Sequence, residues 1–203
     1  MTTAFIFPGQ GSQAVGMGKE LADAYPAAKA VFEAVDDALD QKLSSLMFEG
    51  PEDQLTLTEN AQPAIMAVSI AVMRVLESQG GLNLVEAASH VAGHSLGEYA
   101  ALMSAGILDM DGALRASAAR GTEMGSVVID DKGLMASVMA PYADVASVLD
   151  SIEGYVIAAN KNSPKMTVIA GETEPVKQAM SVFEEKGFQC VPLATSHAFH
   201  SRI

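Results

Sequence analysis

Residues 90–104 read His90-Val91-Ala92-Gly93, then His94-Ser95-Leu96-Gly97, then Glu98-Tyr99-Ala100 and on to Ser104. Their order predicts a strand, a sharp turn and a helix. His90 to Gly93 suits a short strand, Ser95 stands at its end, and Leu96 to Ser104 is rich in helix formers with Gly106 as the C-terminal stop. Gly93-His94-Ser95-Leu96-Gly97 is therefore a G-x-S-x-G sequence in the strand-turn-helix setting that a nucleophile elbow requires. The glycines permit the tight turn, the serine hydroxyl is thrust out of the fold, and the start of the helix offers N–H groups to a developing oxyanion. Taken alone, the five residues also suit an ordinary glycine-serine turn.

Upstream, Ala4 to Phe7 is a short apolar strand closed by Pro8-Gly9, followed by the glycine-bearing loop Gly9-Gln10-Gly11-Ser12-Gln13. Pro26 opens an amphipathic helix with Val31, Phe32, Val35 and Leu39 at helical spacing. A more apolar helix is expected to start near Pro63 and stop at Gly80-Gly81. It carries Ile65, Val68, Val72 and Val75 on one face and Met66, Ile70 and Met73 on another, which predicts a central position. Downstream, a helix carries Arg115 and Arg120, and Asp130-Asp131-Lys132-Gly133 reads as an exposed turn. From Leu134 the pattern is strand (Leu134 to Met139), helix (Tyr142 to Leu149), strand (Tyr155 to Ala159), strand (Met166 to Ala170), helix (Glu174 to Lys186), strand (Gln189 to Leu193). Thr173 is placed to cap the second of these helices and Gly187 to end it. The order βαββαβ predicts a small ferredoxin-like domain over residues 131–193, with residues 1–130 as the large domain and the chain returning to it at 194–203.

Composition narrows the function classes. The 203 residues hold 12 Lys+Arg against 25 Asp+Glu, a formal charge of −13, which argues against a phosphate-backbone binder. Nucleic acid is not an expected partner. The longest apolar stretch, Pro63 to Met73, is interrupted by Ser69 and falls short of the roughly 20 residues of a membrane span. The N-terminus has no basic region of the signal-peptide kind, and Cys190 has no second cysteine to bond. A reducing, cytoplasmic location without membrane contact is the expectation. The pairs His90/His94 and His197/His200 lack cysteine or carboxylate ligands at metal-site spacing, so no metal is expected.

Gly93-His94-Ser95-Leu96-Gly97-Glu98-Tyr99, preceded by Phe7-Pro8-Gly9-Gln10-Gly11-Ser12-Gln13, closely resembles the malonyl-CoA:acyl carrier protein transacylase family and the related acyltransferase domains of polyketide and fatty acid synthases. Further matching pieces are Thr58-Glu59-Asn60-Ala61-Gln62-Pro63-Ala64, Arg120-Gly121, Asn162-Ser163-Pro164, Val168-Ile169-Ala170-Gly171 and His197-Ala198-Phe199-His200-Ser201. The resemblance implies an α/β fold with a hydrolase-like large domain containing a parallel sheet. It implies that Ser95 is the acyl-accepting nucleophile and His200 its general base, with the backbone N–H groups of Gln10 and Leu96 as the oxyanion hole. By the same resemblance, Gln62 lines the pocket, Arg120 pairs with the free carboxylate of malonate, and His197, Phe199 and Asn162 contribute to substrate binding. Phe199 stands in the malonyl-selective form of its motif, where a bulky ring leaves little room for an α-methyl group. Without the motifs, Arg120 reads as a surface arginine on an amphipathic helix, and Arg115 is read as structural.

The activity so implied moves malonyl from malonyl-CoA to the phosphopantetheine thiol of acyl carrier protein, with coenzyme A thioester and phosphopantetheine as substrates and no further cofactor. Carrier proteins are usually acidic, so Lys161 and Lys165 beside the Asn162-Ser163-Pro164 turn are the docking candidates in this acidic chain. Two other readings stand: a serine hydrolase acting on thioesters, and a weak or inactive fragment of the transferase. The family continues for roughly a hundred residues, a domain-scale length, beyond the catalytic histidine, whereas Ser201-Arg202-Ile203 follow it here. The resemblance therefore implies truncation, a frayed end and a mobile His200. Gly125 and Met166 stand where relatives often carry glutamine, which predicts a different pocket floor.

Overall fold

In the computed structural model, which describes residues 3–203, the first half of the chain runs β1 (Ala4–Phe7), α1 (Lys19–Ala24), α2 (Pro26–Leu39), α3 (Leu43–Glu49), α4 (Glu52–Thr56), α5 (Thr58–Gly80), α6 (Leu84–Ala87), β2 (His90–Gly93), α7 (Gly97–Ser104) and α8 (Met110–Ser126). β1 and β2 pair in parallel, Ala4 opposite His90 and Phe7 opposite Gly93. Parallel neighbours need a long crossover, and α1 to α6 form it. α5 is the centre of this unit. Its Ala64, Met66, Ala67, Ile70 and Ala71 are buried with Val31, Phe32 and Val35 of α2, Leu43 and Met47 of α3, and Ala113 and Leu114 of α8. By length and composition α5 could cross a membrane, but 67% of its most apolar window is buried inside the fold, so its apolarity is that of a core helix.

α5 starts at Thr58, not near Pro63, which lies inside it. Proline inside a helix loses the backbone bond to the carbonyl four residues back, here that of Glu59, and its ring crowds that carbonyl, so the burial of α5 overrides the local preference that suggested a start there. α1, α3, α4 and α6 were not expected; helices this short show too few turns for periodicity to register.

The second half runs β3 (Leu134–Val138), α9 (Tyr142–Leu149), β4 (Val156–Ser163), β5 (Met166–Gly171), α10 (Thr173–Glu185) and β6 (Cys190–Pro192). The sheet order is β4-β5-β3-β6, with every neighbouring pair antiparallel. Alternation along the strands sorts the side chains. Ala136, Val138 and Ile169 pack under Val145 and Val148 of α9 and Val176, Ala179 and Phe183 of α10, while Met135, Val168 and Ala170 take the opposite face.

The compact units are Met1–Val127 and Val128–Ile203, which moves the expected seam by three residues and corrects the assignment of 194–203. That segment groups with the second unit, because Ala198 is buried against Met135, Val168 and Ala170 with Leu193, Phe199 and Ile203 around it. The Ala198 N–H also donates to the Lys132 carbonyl at 2.8 Å. The expected fraying after His200 is not the conformation found. The Arg202 N–H donates to the Tyr155 hydroxyl at 2.8 Å, its guanidinium stacks 3.9 Å above that ring, and it pairs with Glu172 at 3.3 Å.

Thr173 does not cap α10 either; it is the first helical residue, and its N–H donates 2.8 Å to Asp131. The segment around Asp131 is exposed, as expected, and also serves as a clasp. One carboxylate oxygen accepts from the Gly133 N–H at 2.9 Å and from the Thr173 hydroxyl, the other from the Thr173 N–H. Hydrogen bonds from Thr173 and Gly133 hold the Asp131 carboxyl below its ordinary range.

Candidate active site

β2 delivers the chain to His94 and Ser95, and α7 leaves two residues later. Ser95 adopts φ +52°, a left-handed conformation that non-glycine residues avoid and that costs of order 1 kcal/mol or more. Close packing enforces it. A Cβ on Gly93 would lie 2.0 Å from the Gly97 carbonyl carbon, and one on Gly97 would lie 2.3 Å from the Phe7 carbonyl oxygen. The His94 N–H donates to Phe7 at 3.0 Å and the Gly97 N–H to the His94 carbonyl at 2.9 Å, so the turn is stitched to β1 and to itself. Leu96, 1% exposed, immediately precedes α7, whose first-turn N–H groups have no partner within the helix. The strand, sharp turn and helix expected from the motif are present, with Ser95 at the turn.

The loop after β1 lies against this turn. A Cβ on Gly9 would meet the His94 carbonyl oxygen at 2.6 Å, the Ser12 hydroxyl donates to the Gly9 carbonyl at 2.8 Å, and the Gly11 N–H donates to the Gln13 side chain at 2.8 Å. Gln10, between these contacts, donates from its side-chain amide to the Thr58 hydroxyl at 3.2 Å.

Arg120 is half-buried and points at the elbow: Nη2 donates to Ser95 Oγ at 3.2 Å and Nη1 to Gln62 Oε1 at 2.7 Å. Gln62 is 0% exposed, and its amide nitrogen lies 3.5 Å from the Met124 sulfur. Those two bonds use two of the five guanidinium donors. α8 can lie this close to α5 because residue 121 is glycine; a Cβ there would be 2.9 Å from the Thr58 carbonyl oxygen. Arg115, five residues earlier and so about 140° around the helix, is exposed and pairs with Asp111 at 2.8 Å, which raises its pKa. At Gly125 a Cβ would lie 2.9 Å from a Glu59 carboxylate oxygen.

The structure thus brings Ser95, Leu96, Gln10, Gln62 and Arg120 together in the first unit. His197, Phe199, His200 and Asn162 belong to the second. His200 is exposed at φ +57°, Phe199 is half-buried against the sheet, and His197 is buried with Nδ1 3.1 Å from the Ser196 hydroxyl and its ring 6.2 Å from that of Phe199. Asn162 is exposed near the end of β4, beside Lys161, whose ammonium stacks 3.5 Å above the Tyr142 ring. Sequence reasoning assigned no role to Thr58 or Met124. The signal was available in spacing, since Thr58 precedes Gln62 by four residues and Met124 follows Arg120 by four, each on its partner's helix face.

A family model described as acyl transferase domain matches residues 4–203. The malonyl CoA-acyl carrier protein transacylase of Bacillus subtilis (strain 168) is 42% identical over 98% of this chain and 63% of its own length, and that of Escherichia coli (strain K12) is 39% identical over 98% and 65%. Among solved structures, the acyl-carrier-protein-S-malonyltransferase from Bartonella henselae superposes with a TM-score of 0.94 at 48% identity, over 100% of this chain and 65% of its own. A malonyl-transacylase solved in complex with a type II PKS acyl-carrier protein gives a TM-score of 0.90 at 37% identity, over 98% and 64%. The chain therefore spans somewhat less than two thirds of the length of these relatives.

Proposed function

The chain belongs to the acyl transferase domain family, and from that premise we propose that it moves malonyl from malonyl-CoA to the phosphopantetheine thiol of acyl carrier protein through a malonyl-Ser95 ester. In the first half-reaction Ser95 Oγ attacks the thioester carbonyl while His200 takes the hydroxyl proton, and the coenzyme A sulfur leaves with that proton. In the second, the carrier thiol attacks the ester, its proton passes to His200, and the proton returns to Ser95 Oγ as the ester bond breaks. The backbone N–H groups of Gln10 and Leu96 receive the oxyanion in both steps. Each half-reaction is balanced by one proton, so no metal or redox cofactor is assigned.

The observation that carries the reading is Arg120 beside Ser95, anchored by buried Gln62. A fixed guanidinium fork next to the nucleophile suits an acyl group that itself bears a carboxylate, and a bidentate charge-assisted pair would orient it. Phe199 is assigned to exclude an α-methyl branch, a discrimination worth about 1 to 3 kcal/mol. His197 and Asn162 are assigned to substrate binding, with Lys161 and Lys165 to carrier-protein docking. The hydrolase-like class proposed for the first unit is supported by its parallel pair and elbow, and the ferredoxin-like class of the second by its βαββαβ order and strand order β4-β5-β3-β6. A cytoplasmic setting is proposed with them.

The test is to follow radiolabelled malonyl from malonyl-CoA in the presence of holo-acyl carrier protein. Label accumulating on the carrier thiol is expected; label released chiefly as free malonate would make the chain a thioester hydrolase instead.

A further inference from the structure

Thr58 opens α5 and is 3% exposed. Its hydroxyl accepts the Gln10 side-chain N–H at 3.2 Å, and its carbonyl is the surface on which Gly121 of α8 closes. Gln62, four residues on and so on the same face, holds Arg120 at 2.7 Å. One face at the start of α5 therefore anchors both the loop that carries Gln10 and the arginine that reaches Ser95. The loop is held on two sides, against the elbow through Gly9 and against α5 through the Gln10 side chain. A backbone N–H can stabilise an oxyanion only where it is already aimed, and a 1 Å misplacement can cost about a hundredfold.

We infer that Thr58 is a positioning residue: its hydroxyl holds the Gln10 side chain, and through it keeps the Gln10 backbone N–H directed at the acyl oxygen during attack by Ser95. The inference rests on the oxyanion role proposed for Gln10. Valine preserves the shape of threonine and removes the acceptor, whereas serine keeps the acceptor and removes a methyl group.

Thr58→Val and Thr58→Ser are compared with the unmodified chain by two single-turnover readouts: malonylation of Ser95 by malonyl-CoA, and phosphonylation of Ser95 by a fluorophosphonate. The second forms an Oγ–P bond, releases fluoride and uses the same oxyanion donors without any malonyl chemistry. Thr58→Val is expected to lower the maximal rate of both about tenfold. The half-saturating malonyl-CoA concentration should stay within about twofold, and Thr58→Ser should recover most of the rate. A valine variant that reacts at the unmodified rate overturns the inference. So do equal losses in both variants accompanied by a lowered thermal midpoint. If the unmodified chain is phosphonylated but not malonylated, and valine slows phosphonylation, the positioning role stands and the malonyl reading falls. If neither probe modifies the unmodified chain, both fall.

Discussion

At Ser95 the backbone is held in a conformation the residue would not choose, and two glycines make that possible. The obstruction a side chain would meet at Gly97 is the Phe7 carbonyl, which is backbone and cannot swing aside. Gly97→Ala is therefore expected to destabilise the fold by about 1 to 3 kcal/mol, read as a lowered midpoint in urea unfolding, and an unchanged midpoint would mean the contact is slack. Arg120 carries the second residue-level prediction. Arg120→Ala should weaken malonyl loading by about 1.5 to 3 kcal/mol while acetyl loading loses less, because acetyl has no carboxylate to pair. Equal losses for the two donors would make Arg120 structural. Sequence periodicity alone left Arg115 and Arg120 as two arginines on one helix; five residues of rotation decide that one pairs with Asp111 in solvent and the other with Ser95 and buried Gln62.

The helix that presents Arg120 has a side-chain N-cap, Asp109, which accepts from the Gly112 N–H at 2.7 Å. Asp109→Ala should cost about 1 kcal/mol of stability, measurable by chemical denaturation. In the second unit, Asp131 clasps the start of α10, and its carboxyl lies below its ordinary value in the folded chain. A carboxyl so depressed contributes stability that is present above its unfolded pKa and is lost as pH falls through the folded one. Asp131→Asn should accordingly flatten the acid limb of the stability-pH curve below about pH 4 and leave its shape near neutrality unchanged. An unaltered acid limb would show that the clasp does not report on folding. The elements that could be read from sequence were the long helices and the apolar strands bounded by turn residues, such as α2, α5 and β3. α1, α3, α4 and α6 could not, because helices of one or two turns are too short for a helical period to show in their own sequence. Thr173 has the side chain of a cap, but its partner is Asp131, forty-two residues away in sequence, and no local signal encodes that.

Over the whole molecule, rare strings scattered along the chain name Ser95, Gln62 and Arg120 separately, and the fold brings their side chains within hydrogen-bond distance. The four-residue spacing places Thr58 beside Gln62 and Met124 beside Arg120, but which of those helix faces meet is a property of packing. The grouping of 194–203 with the second unit escaped for the same reason, being set by Ala198 and its neighbours on the sheet. The first unit also leaves an apolar groove of about 330 Å³ lined in part by Phe5, Ile6, Val68, Val72 and Leu76, with Ile6 76% exposed. Exposed apolar surface of this kind favours association, so Ile6→Thr should lower light scattering in concentrated solution, and undiminished scattering would place the sticky surface elsewhere. The central claim, that a strained serine beside a fixed arginine accepts malonyl, is tested most directly by intact-mass measurement and peptide mapping after incubation with malonyl-CoA. The expected result is one malonyl adduct on the peptide containing Ser95, absent from Ser95→Ala. An adduct that persists in the alanine variant, or none on the unmodified chain, would contradict it.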